Sequence, residues 1–275
     1  MVTPLISTAQ LAAAIQHGAP LTILDVRWVL GGPPGIEDFR RGHIPGAQFV
    51  DLDTELAAPP GPGRHPLPEN SAFQAAMRSH GVGASRPVVV YDAATGMAAA
   101  RAWWTLRYFG HPDVHVLDGG LAAWRAAGQA LTTAETPSEE GDFEAIPGFM
   151  PVLDAVAAAR LATDGVLIDA RASERFRGEV EPVDAVAGHI PGARNVPAAG
   201  NNDADGRFLS EEELRRRFAT VGAIPGTSVG AYCGSGVVAA QEVLALSVAG
   251  IDAALYVGSW SDWITDPERP VAKGD

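Results

Sequence analysis

The sequence repeats itself once, and this duplication constrains the fold more than any other feature. The tetrapeptide at 24–27 (LDVR) returns at 168–171 (IDAR), and the hexapeptide GHIPGA occurs at both 42–47 and 188–193. Two further blocks recur in the same order, 88–92 at 229–233 and 117–124 at 256–263. Four blocks in one order, about 140 residues apart throughout, indicate a duplicated domain and not a short-repeat solenoid.

Each copy alternates short runs rich in β-branched residues with longer segments whose apolar residues have helical spacing. In the first copy we predict strands at 21–26, 87–91 and 114–117, and helices at 72–80 and 98–109. Strands that alternate with helices need crossover connections, so the sheets should be mainly parallel and covered on both faces. The predicted fold class is therefore α/β, with two tandem domains that each contain a mainly parallel sheet flanked by helices.

The joint between the domains is predicted at 132–151, where Thr, Glu, Ser, Gly and Pro dominate and hydrophobic periodicity disappears. This places the first domain at 1–131 and the second at 152–275. Near the start, Ser7 is positioned to cap an amphipathic helix, and no targeting segment or membrane-spanning apolar stretch is visible. The expected location is the cytoplasm.

Charge and cysteine content narrow the range of functions. The 275 residues include 20 Lys and Arg against 33 Asp and Glu, a net charge of −13, and one cysteine. This charge disfavours nucleic acid and anionic membranes as partners, because phosphate binding needs a basic surface. A single cysteine excludes an internal disulfide and any zinc site with two or more thiolates. Since no complete metal-ligand or dinucleotide-binding motif occurs elsewhere, we expect no metal and no cofactor.

The lone cysteine, Cys233, follows a strand-like run at 228–232 and precedes a predicted helix at 239–248. A thiol at the carboxyl end of a parallel strand, beside backbone N–H groups and a helix N-terminus, lies in a positive potential that favours the thiolate. Most unpaired cysteines are simply buried apolar side chains. The two glycines of the loop after Cys233 favour a nucleophile here, because close approach of backbone amides to a ligand needs glycine and core packing does not.

The chain resembles the two-domain rhodanese-type sulfurtransferases, the family of 3-mercaptopyruvate and thiosulfate sulfurtransferases. The resemblance covers residues 8–270 and depends on the duplicated blocks together with the CGSGV motif at 233–237. It implies that Cys233 takes a sulfur atom from a small anionic donor and becomes a persulfide. It further implies that the sulfur passes to a thiol acceptor such as thioredoxin, or to cyanide. Asp92 stands at the aligned position of the first domain, which would be catalytically silent.

The loop after the cysteine bears on the donor. Thiosulfate-type members carry basic residues directly after the cysteine, whereas the mercaptopyruvate type has CGSGVT. The substrate-binding loop here contains no Lys or Arg and consists of Gly234, Ser235, Gly236, Val237 and Val238. Amides, a hydroxyl and a helix dipole suit a monoanionic keto acid better than a dianion, so 3-mercaptopyruvate is the predicted donor. Thiosulfate stays the alternative, because a second substrate arginine of the animal mercaptopyruvate enzymes has no match in 181–184 (EPVD).

The resemblance also assigns roles to individual side chains. Arg175 matches a substrate-binding arginine, whose planar fork suits a carboxylate. Arg171 is instead expected in a structural ion pair, since the silent copy repeats it. Ser235 is the expected hydrogen-bond donor to the carbonyl side of the departing product. His43 matches a histidine linked to this serine in proton transfer, although a structural bond to its own turn is favoured, since His189 repeats it.

Two other functions compete with sulfur transfer. Cysteine phosphatases that share this fold need an arginine six residues after the cysteine, and Ala239 stands there. A non-enzymatic sulfur carrier or interaction module would be expected to show a partner motif, and the sequence offers none. The predicted function is therefore an enzyme, a sulfurtransferase with Cys233 as its nucleophile.

Overall fold

The computed structural model describes residues 3–275, which divide into two compact units. Met1 and Val2, at the start of the predicted first domain, lie outside the described residues. The first unit comprises the chain up to Ala58, Leu67–Met150 and Asp203–Phe208. The second unit comprises Pro59–Pro66, Pro151–Asn202 and Leu209–Asp275. Each unit thus includes one short segment from the other half of the sequence.

The first unit contains one five-stranded sheet. Its strands are β1 (Leu5–Ile6), β2 (Thr22–Asp25), β3 (Ala47–Phe49), β4 (Val88–Tyr91) and β5 (Val114–Leu117). Its helices are α1 (Thr8–Gln16), α2 (Gly35–Arg41), α3 (Leu52–Glu55), α4 (Asn70–Ser79), α5 (Met97–Tyr108) and α6 (Gly120–Ala126). All neighbouring strands pair in parallel, in the order β1-β5-β4-β2-β3.

The second unit repeats this plan. Its strands are β6 (Val152–Leu153), β7 (Val166–Asp169), β8 (Arg194–Asn195), β9 (Val229–Tyr232) and β10 (Ala253–Tyr256). Its helices are α7 (Ala155–Asp164), α8 (Ser173–Phe176), α9 (Glu211–Ala219), α10 (Val237–Val248) and α11 (Ser259–Trp263), with a 3-10 helix at Ala198–Asn201. The strand order β6-β10-β9-β7-β8, again parallel throughout, corresponds strand for strand to that of the first unit.

The central strands are buried along their whole length. Every residue of β2, β4, β7 and β9 lies in the interior of its unit. A parallel sheet covered on both faces requires continuous apolar strands, and the valines at 88–90 satisfy this requirement. The predicted fold class, two α/β domains with parallel sheets flanked by helices, is confirmed.

The residues that cap helices α1 and α10 determine where these helices begin. Ser7 caps α1 and forms a capping box with Gln10, as its position in the sequence indicates. In contrast, α10 begins at Val237, two residues before the predicted start at 239. The reason is Gly236, which adopts the left-handed conformation (φ 81°) and serves as the N-cap. Val237 and Val238 therefore belong to the first turn of the helix and not to the loop.

Candidate active site

Cys233 lies at the carboxyl end of β9, in the second unit, and its side chain is buried. Its main chain is fixed on both sides: the N–H donates to Ser259 Oγ at 3.1 Å, and the carbonyl accepts from Trp260 N at 2.9 Å. The N–H of Gly236 donates to the sulfur, at an N–Sγ distance of 3.2 Å. The thiol is thus held at a defined position with one backbone donor already directed at it.

The start of α10 supplies further positive potential next to this sulfur. Val237 and Val238 form the first turn, whose N–H groups have no acceptor within the helix, so the positive end of the helix dipole lies at the cysteine loop. The N-terminus of a helix can stabilise a negative charge placed beside it. The loop residues predicted from the sequence therefore lie around Cys233, and the left-handed conformation of Gly236 starts the helix there.

The corresponding loop of the first unit shows that this arrangement of N–H groups binds oxygen acceptors. The buried Asp92 carboxylate, at the end of β4, accepts hydrogen bonds between 3.0 and 3.3 Å from four N–H groups of the loop and the first turn of α5, those of Ala94, Gly96, Ala98 and Ala99. Burial raises the pKa of Asp92, and these four donors oppose the rise. In the first unit the chain itself thus supplies the hydrogen-bond acceptor that fills this set of four N–H groups, the amide cradle.

Arg175 lies on α8 in a network of ion pairs. Its guanidinium donates to Glu181 (Nη2–Oε1 2.7 Å, Nε–Oε2 3.2 Å) and to Asp184 (Nη2–Oδ2 3.0 Å). Burial by itself raises the pKa of Glu181, but hydrogen bonds from Arg175 and from the N–H groups of 183 and 184 outweigh it and hold that pKa below its usual value. Glu181 therefore stays ionised and orients Arg175. The Nη1 and Nη2 atoms of Arg175 lie 3.8 Å from the position of a Cβ on Gly234, beside the cysteine.

Arg171 forms the structural ion pair expected from the sequence. It binds the buried Asp169 carboxylate (Nη2–Oδ2 2.6 Å) and the Gly188 carbonyl (2.7 Å). The first unit repeats both contacts, since Arg27 binds Asp25 (2.8 Å) and the Gly42 carbonyl (3.0 Å). Because the first unit, which contains no cysteine, has the same pair, the pair is assigned to stabilising the turn after the strand.

The segment Pro59–Pro66, part of the second unit, brings two residues to the site that the sequence analysis did not single out. His65 is buried, and its Nδ1 lies 2.7 Å from Ser235 Oγ. Arg64 forms an ion pair with Asp184 (Nη1–Oδ1 2.7 Å). A signal did exist: two adjacent basic or titratable residues follow five residues made only of Pro and Gly, and loops of this kind frequently carry binding residues.

His43 has a different environment from the histidine at Ser235. Its Nδ1 lies 2.9 Å from the Phe39 carbonyl and its Nε2 lies 3.2 Å from the Ala134 carbonyl, all within the first unit. Its ring stacks on Phe39 at 3.8 Å, and the equivalent His189 stacks on its own phenylalanine at 3.7 Å. These contacts agree with the structural reading of His43, whereas proton transfer by His43 stays a prediction.

Residues 3–275 contain neither a metal-binding cluster nor a membrane-spanning helix. Within this range no group of three or more His, Cys, Asp and Glu side chains is placed to bind a metal ion. None of the helices in the same range combines the length and the apolar character that crossing a bilayer requires.

Known proteins with the same architecture agree on one family. The model of the rhodanese-like domain matches twice, at residues 7–127 and 154–266. A Pseudomonas aeruginosa protein named as a 3-mercaptopyruvate sulfurtransferase is 48% identical over 98% of both chains. A Mycobacterium tuberculosis protein named as a thiosulfate sulfurtransferase is 47% identical over 98% of this chain and 97% of the relative.

A solved structure matches over almost the same length. The crystal structure of the 3-mercaptopyruvate sulfurtransferase SseA from Escherichia coli superposes with a TM-score of 0.84 at 33% identity. The superposition covers 94% of this chain and 99% of that one. Sequence and structure relatives thus agree on sulfur transfer as the chemistry, and their names differ in the donor.

Proposed function

The chain belongs to the rhodanese-like sulfurtransferases, and we propose that it transfers sulfur from 3-mercaptopyruvate to a thiol acceptor through a persulfide on Cys233. The observation that carries this choice of donor is the Ser235–His65 pair, with 2.7 Å between Oγ and Nδ1, directly beside the cysteine loop. Breaking a carbon–sulfur bond leaves an enolate that must gain a proton. Sulfite, which leaves from thiosulfate, needs no proton donor. A serine and a histidine in contact therefore fit a keto acid donor.

Sulfur loading follows from the positions of these groups. The Cys233 proton passes to His65 through Ser235, and the thiolate is stabilised by the Gly236 N–H and the start of α10. The thiolate attacks the donor sulfur. A sulfur–sulfur bond forms as the carbon–sulfur bond breaks, and the electron pair of the broken bond goes into the enolate of pyruvate. Ser235 returns the proton to the enolate, and the products are pyruvate and the Cys233 persulfide.

Sulfur release needs a second reactant. The thiolate of the acceptor, for which thioredoxin is a candidate, attacks the outer sulfur of the persulfide, and the Cys233 thiolate is the leaving group. With cyanide as acceptor the product is thiocyanate. The chain has no other cysteine, so no internal thiol can take the sulfur. We place this cycle in the cytoplasm, because a thiol nucleophile needs a reducing compartment.

Substrate binding is assigned to the groups that surround the sulfur. The N–H groups of Gly234, Gly236, Val237 and Val238 face the reacting end of the donor as amide donors. Arg175 binds the carboxylate, since its Nη1 takes part in neither of the ion pairs that orient this side chain. Glu181 and Asp184 hold the guanidinium in place from the other side.

Thiosulfate is the second candidate donor, and one observation favours it. The relative named as a thiosulfate sulfurtransferase is as similar, at 47% identity, as the relative named for mercaptopyruvate, at 48%. With thiosulfate the same persulfide forms and sulfite leaves with the electron pair. Ser235 and His65 would then not be needed to protonate the leaving group, and this difference separates the two donors.

The experiment loads the purified chain with each donor and measures the mass of the protein. We expect 3-mercaptopyruvate to add one sulfur atom to the native chain and none to Cys233→Ser, with a larger kcat/KM for mercaptopyruvate than for thiosulfate. Arg177→Gln, which changes an exposed side chain paired with Glu179, serves as the matched control. A larger kcat/KM for thiosulfate would assign the enzyme to that donor, and loading of Cys233→Ser would contradict the nucleophile.

A further inference from the structure

A second guanidinium lies beside the cysteine loop, and it comes from Arg64. The main chain places it there: the Arg64 N–H donates to Ser261 Oγ at 3.0 Å, and a Cβ on Gly63 would lie only 3.1 Å from the Gly258 main chain. Glycine at 63 permits this close approach of the two backbones. The segment 59–66 is therefore packed tightly against the turn that follows β10, and Arg64 has a defined position.

Arg64 and Arg175 converge on one point. Asp184 bridges them, with Oδ1 2.7 Å from Arg64 Nη1 and Oδ2 3.0 Å from Arg175 Nη2. From the position of a Cβ on Gly234, Arg64 Nη2 is 3.1 Å away and the two Nη atoms of Arg175 are 3.8 Å away. Both guanidinium groups thus lie within van der Waals distance of Gly234, the residue directly after Cys233. Two planar forks held by one carboxylate are suited to bind a second carboxylate.

The Arg64 guanidinium has hydrogen-bonding capacity left over. Its Nε is buried and has no hydrogen-bond partner among residues 3–275. Its one ion pair in this range uses Nη1. The Arg64 side chain is 25% exposed and its Nη2 takes no part in that ion pair, so this end of the guanidinium can donate to a carboxylate ligand. By comparison, Arg171 uses its guanidinium on Asp169, Glu181 and the Gly188 carbonyl.

The charge of the cluster limits which ligand fits. Arg64, Arg171 and Arg175 face an equal number of carboxylates, those of Asp169, Glu181 and Asp184. The cluster is therefore formally neutral, and a ligand brings its own charge into a partly buried site. A monoanion costs less to place there than a dianion, because the unfavourable energy of burying charge grows with its amount.

We propose that Arg64 binds the carboxylate of an α-keto acid donor together with Arg175, and so determines the preference of the enzyme for a monoanionic keto acid over a dianion. This inference depends on the proposed function, because it concerns the donor of that same site. It supplies the second arginine that has no counterpart in the segment 181–184. Arg64 would then bind the carboxylate, and its neighbour His65 would take part in proton transfer through Ser235.

The test separates binding from turnover. In the unreactive Cys233→Ser background, the dissociation constant of 3-mercaptopyruvate is measured by calorimetry for the otherwise native chain, Arg64→Gln, Arg64→Lys and the control Arg177→Gln. We expect Arg64→Gln to weaken binding about 10-fold or more, Arg64→Lys to weaken it less, and Arg177→Gln to have no effect. With Cys233 present, the KM for mercaptopyruvate rises in Arg64→Gln while kcat changes little, and kcat/KM for thiosulfate relative to mercaptopyruvate increases.

Each outcome bears on one of the two proposals. Equal dissociation constants for Arg64→Gln and Arg177→Gln, or a donor that does not bind the Cys233→Ser chain at all, overturn the role of Arg64. Binding that depends on Arg64, without any sulfur gained by Cys233, overturns the proposed function and leaves the carboxylate site intact. Circular dichroism and a thermal midpoint identify a variant that fails to fold, in which case Arg64→Lys alone decides the question.

Discussion

At the scale of single residues, the proposed site combines side chains that are far apart in the sequence. Ser235 stands two positions after Cys233, whereas His65 precedes Ser235 by 170 positions. The serine could be found from the loop motif. The sequence shows the histidine only as part of a Pro- and Gly-rich loop, and the fold is needed to show that residues 59–66 belong to the second unit.

The proposed role of the Ser235–His65 pair in sulfur loading can be measured directly. We expect His65→Gln and Ser235→Ala to slow sulfur loading from 3-mercaptopyruvate by roughly 100-fold, the usual contribution of general acid–base catalysis, with little change in donor binding. Stopped-flow loading of Cys233 measures this rate. His43→Gln is the informative comparison, since that ring is bonded to main-chain carbonyls in the first unit. A slow His43→Gln together with a fast His65→Gln would transfer the role back to His43.

At the scale of secondary structure, helix α10 contains a buried ionisable side chain, that of Glu242. Glu242 is fully buried; its Oε2 accepts from Asn201 Nδ2 at 2.6 Å, and its Oε1 has no partner among residues 3–275. Burial raises the pKa of Glu242 from 4.5 to about 8, against the effect of the Asn201 hydrogen bond. The carboxyl group is therefore protonated at neutral pH in the folded chain.

This shift makes stability depend on pH. Between about pH 4.5 and about pH 8 the folded state holds a proton on Glu242 that the unfolded state has released, so the free energy of unfolding falls as pH rises through this range. We expect Glu242→Gln, which keeps the acceptor for Asn201, to reduce the fall. Urea unfolding near the two ends of the range measures it. If Glu212→Gln, on the exposed face of α9, changes the pH dependence equally, Glu242 is not its source.

The amide cradle around Asp92 in the first unit allows a second prediction at this scale. Asp92→Ala leaves the N–H groups of Gly96, Ala98 and Ala99 without the acceptor they have now. Because these donors are buried, we expect a loss of about 3 kcal/mol in the free energy of unfolding. Asp38→Ala, at an exposed acidic side chain of α2, is the matched control. Equal stability of the two variants would contradict a structural role for Asp92.

The strands and helices can largely be predicted from the sequence, whereas the contribution of residues 59–66 to the site cannot, and both outcomes have physical reasons. The strand at 114–117 has the bounds that the sequence predicts, because Val114, Val116 and Leu117 are buried apolar residues of the kind that a covered parallel strand needs. The start of α10 was misplaced, since the left-handed conformation of Gly236 allows the helix to begin directly after it. Arg64 could not be predicted as a neighbour of Gly234, because no periodicity places a Pro- and Gly-rich segment.

At the scale of the whole molecule, the two units exchange short segments of sequence. The second unit contains Pro59–Pro66, and the first contains Asp203–Phe208. In the first unit Phe208 occupies the position facing the cradle: its ring lies 3.0 Å from where a Cβ on Gly96 would be, and its N–H donates to Asp118 Oδ1 at 2.9 Å. The corresponding site of the first unit thus holds a phenylalanine and an aspartate, where the second unit has a histidine and a cysteine.

The exchange predicts that the second half of the chain is not sufficient for activity. A fragment that contains only 151–275 lacks Arg64 and His65, so we expect it to load sulfur at least about 100-fold more slowly than the full chain. The control is the full chain cleaved once within 132–150, which keeps every segment. Mass spectrometry of both after treatment with 3-mercaptopyruvate provides the comparison. Equal loading of the fragment and the cleaved chain would show that 59–66 is not needed.

The exchanged segments also give a reason for the first copy to be retained. A duplicated gene whose second copy is complete can lose the first copy without cost. Here a deletion that removes the first copy also removes eight residues of the second unit, Pro59–Pro66, and with them the histidine beside Ser235. Selection for a site built around Cys233 would therefore preserve the reading frame of both halves, and the pair would be inherited as one gene.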